Sequence, residues 1–441
     1  MGASHSNPST TPRAKNARAS DEPQPSTPTK AKRRETREEE PMPQRPIDET
    51  WGTKERMNAL ISNMDQASVE ETVDIATRMG NAPRIIAPFH PQGSWLWRQW
   101  GGTVLQHSWR PAGTMMFVSS IIVVVMEVAR KEGEHRWAVL EVPNPDDNWV
   151  ARMKGFTTMW GYLLTMATFV NSFFLSQAYG FWLATKGNVR KVQGRLNDIG
   201  MLMAVHAERD ASNTRYTAAS REVLEDVARW VRLYHMLYWA GQVRPSRSDE
   251  HMSFSVLRTE AGLKALMSRH ALTTREYRLL VNNERLSEKQ RHHAVLEWIV
   301  ARGLHAQRAG VLLGDSAMEM RLLEEACKLR AVCASIADDA SARMPLSYVH
   351  LVQLLVDTLV VLAPFALYPK LGVLTIPLSG ILVLFYRGFL TLSKSFLDPF
   401  GNSDSLSENL SVACLLCETN AGSVRWLNAI EQLPFRPEDN N

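Results

Sequence analysis

Near its C-terminus the chain reads L-D-P-F-G-N-S-D-S-L-S-E, Leu397 to Glu408. Asp398, Asn402, Ser403 and Asp404 crowd oxygen-bearing side chains around a Pro-Phe-Gly turn. Oxygen ligands beside a tight turn suit a hard cation such as calcium, which gathers several carboxylates when it binds tightly. Carboxylates are sparse here, with Asp398, Asp404 and Glu408 the only acids of the stretch. The expectation is a degenerate calcium clasp that binds weakly. The same residues also make an ordinary polar exit from a membrane helix.

Other chemistry is absent. The sequence holds no Gly-rich phosphate loop, no H-E-x-x-H and no G-x-S-x-G, so the expectation is a protein that is not an enzyme. Cys327, Cys333, Cys414 and Cys417 are the only cysteines. Cys414-Leu-Leu-Cys417 has no second C-x-x-C to complete a zinc site, so these read as structural thiols. His292-His293 lies on a charged stretch and reads as solvent-facing. The opening M-G-A-S-H-S places Gly2 and Ser6 as N-myristoylation requires. A net charge of +4 over 441 residues gives no reason to expect nucleic acid.

The elements that would position the turn are apolar helices. Residues 1–50 are polar and cannot bury a core, which predicts a disordered tail. Residues 51–93 show helical spacing, as in Met57, Leu60, Ile61 and Met64, and predict an amphipathic helical segment. Trp95, Trp97, Trp100 and Trp109 follow, mixed with Arg98 and Arg110. Amphipathic aromatics beside Arg suit a membrane interface. Membrane helices are expected at about 112–130, 156–185, 221–241, 346–368 and 371–394. The segment 221–241 is the most amphipathic of these. Soluble helices are expected at about 186–220 and 242–344, and a polar end at 432–441. Pro364 and Pro377 should kink or break their helices. Asp357 sits inside an apolar run and should face protein or water rather than lipid. Fold class is thus all-α, in a multi-pass integral membrane protein. Lys and Arg flank the first two runs on both sides, so charge bias assigns no orientation.

Several stretches resemble the bestrophin family, in that family's order. MPLSYVHLVQLLVDTLVVLAPFALYP followed by LTIPLSGILVLFYRGFLTLSKSFLDPFGNSDS looks like its last membrane hairpin and exit. LTTREYRLLV, Leu272 to Val281, is similar to its MTREERKLF-type segment. AMEMRLLEEACKLRAVCASIADDASAR resembles the helix leading into the hairpin. FFLSQAYGFWLATKG, Phe173 to Gly187, resembles the exit from its second helix. The likeness spans roughly residues 95–431. It implies a pentamer around a central anion pore, with membrane helices continuous with a cytosolic helical bundle. It implies chloride as the permeating ion, with bicarbonate as a second. Counting back from Tyr179 and Trp182 places the three neck rings at Thr165, Phe169 and Phe173, with Asn171, Ser172 and Ser176 as nearby polar candidates. The partners implied are small anions, membrane lipid and further copies of the chain. The sequence also departs from the family. Phe181-Trp-Leu-Ala184 stands where the family often has Arg-Trp-Trp-Glu, Phe174 replaces an arginine, and Leu406 falls within the usual acidic run. A non-conducting membrane scaffold that keeps the fold is the alternative reading.

Overall fold

A computed structural model describes residues 66–80, 82–86, 93, 98–131, 148–210, 215–242, 254–283, 285–341, 343–400 and 409–433. The expected tail with Gly2, residues 51–65 of the expected amphipathic segment, and the end at 434–441 lie outside the described residues. Among the described residues every regular element is helical, and the only β-pairings are two isolated bridges, Ala207 with Leu312 and Arg209 with Tyr216.

The α-helices are α1 Gln66–Thr77, α2 Val104–Lys131, α3 Asn148–His206, α4 Ala218–Gln242, α5 Glu260–Ser268, α6 Thr274–Val281, α7 Arg291–Arg308, α8 Ser316–Ser341, α9 Leu346–Leu371, α10 Thr375–Phe396 and α11 Val412–Ala429. Among the described residues two segments are long and apolar enough to cross a membrane, Val104–Val128 and Leu346–Phe396. The second comprises α9 and α10, joined by a single turn of 3-10 helix at Gly372–Leu374. The chain reverses at Gly372, whose φ of 55° is strained for any residue with a Cβ. The break therefore falls beyond Pro369-Lys370, where the hairpin was expected to turn. Pro364 and Pro369 both lie inside α9 without ending it. Pro377 falls in the first turn of α10, where its missing N–H costs nothing.

α3 has 59 residues and no break. At 1.5 Å per residue it is about 90 Å long, roughly three times the thickness of a bilayer's hydrocarbon core. The expected membrane helix 156–185 and the expected soluble helix from 186 are one element. Its first half packs on α9 and α10, and its second half on α8 and α11.

The largest core gathers buried residues from α1, α3, α4, α7, α8 and α11. Here 221–241 is corrected. It was expected in the membrane, but α4 is the central helix of this core, with fourteen buried residues including Tyr234, Tyr238 and Trp239. It packs against α7 and α11. Its outward charges Glu222 and Glu225 pair with Arg302 and Arg221, and Arg221 also reaches Glu431. An amphipathic stripe wide enough to look apolar is here buried by other helices rather than by lipid.

His292 is a second correction. It is buried, edge-on to Tyr234 and Tyr238 at centroid distances of 5.8 and 5.5 Å. Burial pushes its pKa down to about 4. Burial also lowers His235 to about 3, where its Nε2 accepts a 2.7 Å bond from Trp239 Nε1.

Local signals fix the short helices. Thr273 and Glu276 form a reciprocal capping box at the start of α6. Glu276 then does more. Its carboxylate also accepts from Trp230 Nε1 and from Arg229, both at 2.6 Å, and so ties α6 to α4. Burial alone would raise its pKa, but the Arg229, Thr273 and Trp230 bonds hold it below the usual range. Asn420 of α11 closes the end of α1 by donating to the Ala76 and Arg78 carbonyls at 2.8 and 3.0 Å. Cys414 and Cys417 are buried, and Cys417 Sγ donates to the Gly80 carbonyl at 3.2 Å.

Removing the Glu276 carboxylate leaves the half-buried Arg229 with its Asp226 pair alone and strands the Trp230 indole N–H. Glu276→Ala should cost about 3 kcal/mol, read as a lowered melting temperature of the detergent-solubilised protein. The histidines predict a pH slope. Their folded pKa values lie below the ordinary 6.5. The unfolded chain therefore binds more protons below that pH, and stability falls as pH drops. The melting temperature of the protein should decline steadily from about pH 6.5 towards about pH 4, where Glu276 adds to the loss as it protonates.

Candidate functional site

α3 has two faces. The inward face carries Trp160, Ala167, Asn171, Phe174, Ala178 and Trp182, all buried. Their spacing of three and four keeps them in one stripe. The stripe is fastened by polar bonds in an apolar setting. Trp160 Nε1 donates to the Leu359 carbonyl at 3.0 Å, and Thr157 Oγ1 to the Ala366 carbonyl at 3.2 Å. Thr168 Oγ1 lies 2.6 Å from the Tyr386 hydroxyl, and Asn171 Nδ2 donates to the Tyr386 carbonyl at 3.2 Å. Among apolar helices such bonds set rotation as well as adding stability.

The consequence is the opposite face. Thr165, Phe169 and Phe173 point away from α9 and α10, with Phe169 73% and Phe173 51% exposed. Ser172 and Ser176 share that face. Asn171 does not. It was expected beside the pore but is turned into the subunit, bonded to α10, because it lies about 100° around the helix from its neighbour Ser172. Thr165 Oγ1 donates to the Gly161 carbonyl at 3.1 Å, so outward it offers its methyl and lone pairs rather than a proton. Neither Ser172 nor Ser176 has a side-chain partner among the described residues, and their hydroxyls are free to donate. No Asp, Glu, Lys or Arg lies between Lys154 and Lys186. Phe174 is fully buried and meets Tyr348 edge-on at 5.7 Å.

Below this stretch α3 is clamped by charge. Arg190 pairs with Glu418, and Arg195 with the buried Glu325 at 2.8 Å. Gly200 lies under the Trp426 ring, which a Cβ would overlap.

The turn at Asp398 is anchored from both sides. Phe400 is buried against Trp239 at 5.3 Å, and the Pro399 carbonyl accepts from Leu410 N at 2.7 Å. Asp398 itself is buried and ion-paired to Arg343 at 3.2 Å. Asn402, Ser403 and Asp404 lie outside the described residues. Among the described residues no group of three or more His, Cys, Asp or Glu is placed to hold a metal. Asp357, the charge inside the apolar hairpin, faces protein. It accepts from Arg387 Nη2 at 2.8 Å and Nε at 3.1 Å, and from Gln353 at 2.5 Å.

No protein-family model matches the sequence, and no curated protein matches it. Solved structures do. Two structures of single-site variants of a bacterial bestrophin homolog from Klebsiella pneumoniae superpose with TM-scores of 0.54 and 0.51. They cover 74% and 71% of this chain and 99% and 97% of theirs, at 13% and 12% identity. A further structure, described as a membrane protein, gives 0.51 at 12% identity over 73% of this chain and 98% of its own. On this likeness the chain has a bestrophin-like fold.

Proposed function

We propose that the chain is one subunit of a homo-oligomeric membrane channel for small anions, five copies surrounding an axis lined by α3. The observation that carries this reading is the uncovered, uncharged face at Thr165, Phe169 and Phe173. A row of large side chains that no element of its own subunit covers needs an occupant, and a symmetric ring of copies leaves it facing the axis. Val104–Val128, Leu346–Phe396 and the first half of α3 cross the bilayer, and the second half of α3 with the large core lies outside it.

Aromatic edges carry partial positive charge and offer no acceptor oxygen, so the neck favours a weakly hydrated anion over a cation. The free hydroxyls of Ser172 and Ser176 give that anion donors as it sheds water. Thr165 keeps one ring wettable without donating. Chloride fits this surface, and bicarbonate is the second candidate. Purified protein in liposomes should carry chloride and exclude potassium. A pentamer that forms but passes no ion would instead assign the chain as a membrane scaffold.

The neck gives a sharper test. Phe169→Ala and Phe173→Ala should flatten the ranking of chloride, nitrate and iodide by about two- to tenfold, the equivalent of the ~0.5–1.5 kcal/mol that an aromatic contact contributes. Unchanged ratios in a conducting double variant would remove these rings from the pore.

Calcium should matter little. Asp398, the first carboxylate of the expected clasp, is already neutralised by Arg343, which leaves too few charged oxygens for a tight site. Flux should stay flat as free calcium is titrated through roughly 0.1–10 µM, the range of sensor sites, in both wild type and Asp404→Ala. Steep activation of the wild type that Asp404→Ala abolishes would show an intact clasp.

A further inference from the structure

A cleft of about 450 Å³ opens between α2, α9 and α10. Its lining includes Arg110, Met115 and Val118 from α2, Val360 from α9, and Val383 and Arg387 from α10. Two glycines set the register of α2 on α10. A Cβ at Gly388 would meet Val104, and one at Gly380 would meet Met116 Cγ at 2.6 Å. The two helices therefore run antiparallel at close range, which puts Arg110 within about one turn of the level of Arg387 and Met115 about one turn beyond Val383. On α9, Asp357 marks the level of Arg387, and Val360 lies about one turn further along. The cleft is thus polarised along its length, with Arg387 and Arg110 towards one end, Val360 and Val383 between, and Met115 and Val118 at the other.

The cationic end is not balanced by the protein. Arg387 is paired with Asp357. Lys394 Nζ donates to Gln353 Oε1 at 2.6 Å, and Gln353 bonds that same carboxylate. Arg110 has no carboxylate partner among the described residues, and its guanidinium sits 5.5 Å from the centre of the Trp109 ring. Asp357 bonds Arg387 directly, reaches Lys394 only through Gln353, and leaves Arg110 without a carboxylate among the described residues. Trp109 and Trp100 lie together at 6.5 Å beside this end, as aromatics do at headgroup level. Beyond the other end α2 exposes Phe117, Ile121, Val124 and Val125.

We propose that this cleft holds one anionic glycerophospholipid, its phosphate at Arg110 and Arg387 and an acyl chain along Met115, Val118, Val360 and Val383. The inference rests on reading α2, α9 and α10 as membrane helices and is independent of whether the protein conducts. An inorganic phosphate would answer the charge but leave the apolar end uncovered, whereas a phospholipid answers both.

Native mass spectrometry of the full-length protein in detergent, titrated with phosphatidylglycerol, phosphatidylcholine or inorganic phosphate, tests this without any flux measurement. Phosphatidylglycerol should be retained in preference to phosphatidylcholine, and Arg110→Gln should cut that preference about fivefold, as expected for one basic residue at a headgroup. Val118→Trp keeps every charge and fills the apolar end, so it should weaken retention of both lipids. Millimolar inorganic phosphate should fail to displace the bound lipid. Equal retention of the two lipids by wild type would overturn the proposal. So would an unchanged preference in Arg110→Gln, unchanged retention in Val118→Trp, or displacement of the lipid by inorganic phosphate. A protein that binds phosphatidylglycerol as expected yet passes no chloride would sink only the channel reading.

Discussion

Everything in this chain hangs on how α3 is held. One helix of 59 residues has its first half bonded to an apolar hairpin and its second half clamped by ion pairs in a helical core. Trp160, Thr157, Thr168 and Asn171 reach across to α9 and α10 from a single stripe. Arg190 and Arg195 do the same towards Glu418 and Glu325. A helix fastened along one face over its whole length cannot rotate. The face with Phe169 and Phe173 is therefore presented outward as a rigid strip. Preorganised surfaces of this kind need no loop to order before they act.

The apolar hairpin contains charge and survives because the charge is shared. Asp357 bonds Arg387 and Gln353, and Gln353 bonds Lys394. In a low-dielectric setting an isolated carboxylate would be costly, while one with several donors is tolerated. The same network leaves a positive excess beside Arg110, so one arrangement both stabilises the hairpin and creates an anionic-headgroup surface. Gly380 and Gly388 contribute by letting α2 lie close against α10, which brings Arg110 within about one turn of that level.

In the large core, polar groups act as fasteners between elements. Glu276 caps α6 and holds Arg229 and Trp230 of α4. His235 and His292 are kept neutral by burial among Tyr234, Tyr238 and Trp239. Acidification is expected to weaken the bundle through these groups.

The sequence by itself determined the helical class, the apolar hairpin after Leu346, and the direction in which Thr165, Phe169 and Phe173 share a face. Those are consequences of periodicity and of runs too apolar to be exposed to water. Only tertiary structure decided the rest. Segment 221–241 has one apolar stripe, and an apolar stripe does not say whether lipid or protein will cover it. Here α7 and α11 do. His292 sits among charges in sequence, yet helix packing turns it onto two tyrosines. Asn171 and Ser172 are neighbours in the chain, but a rotation of about 100° per residue sends one into α10 and the other outward. Asp398 is an eligible cation ligand until Arg343, 55 positions earlier, is folded against it. In each case the residue's chemistry was readable, and its partner, which sets what that chemistry does, came from a distant part of the chain.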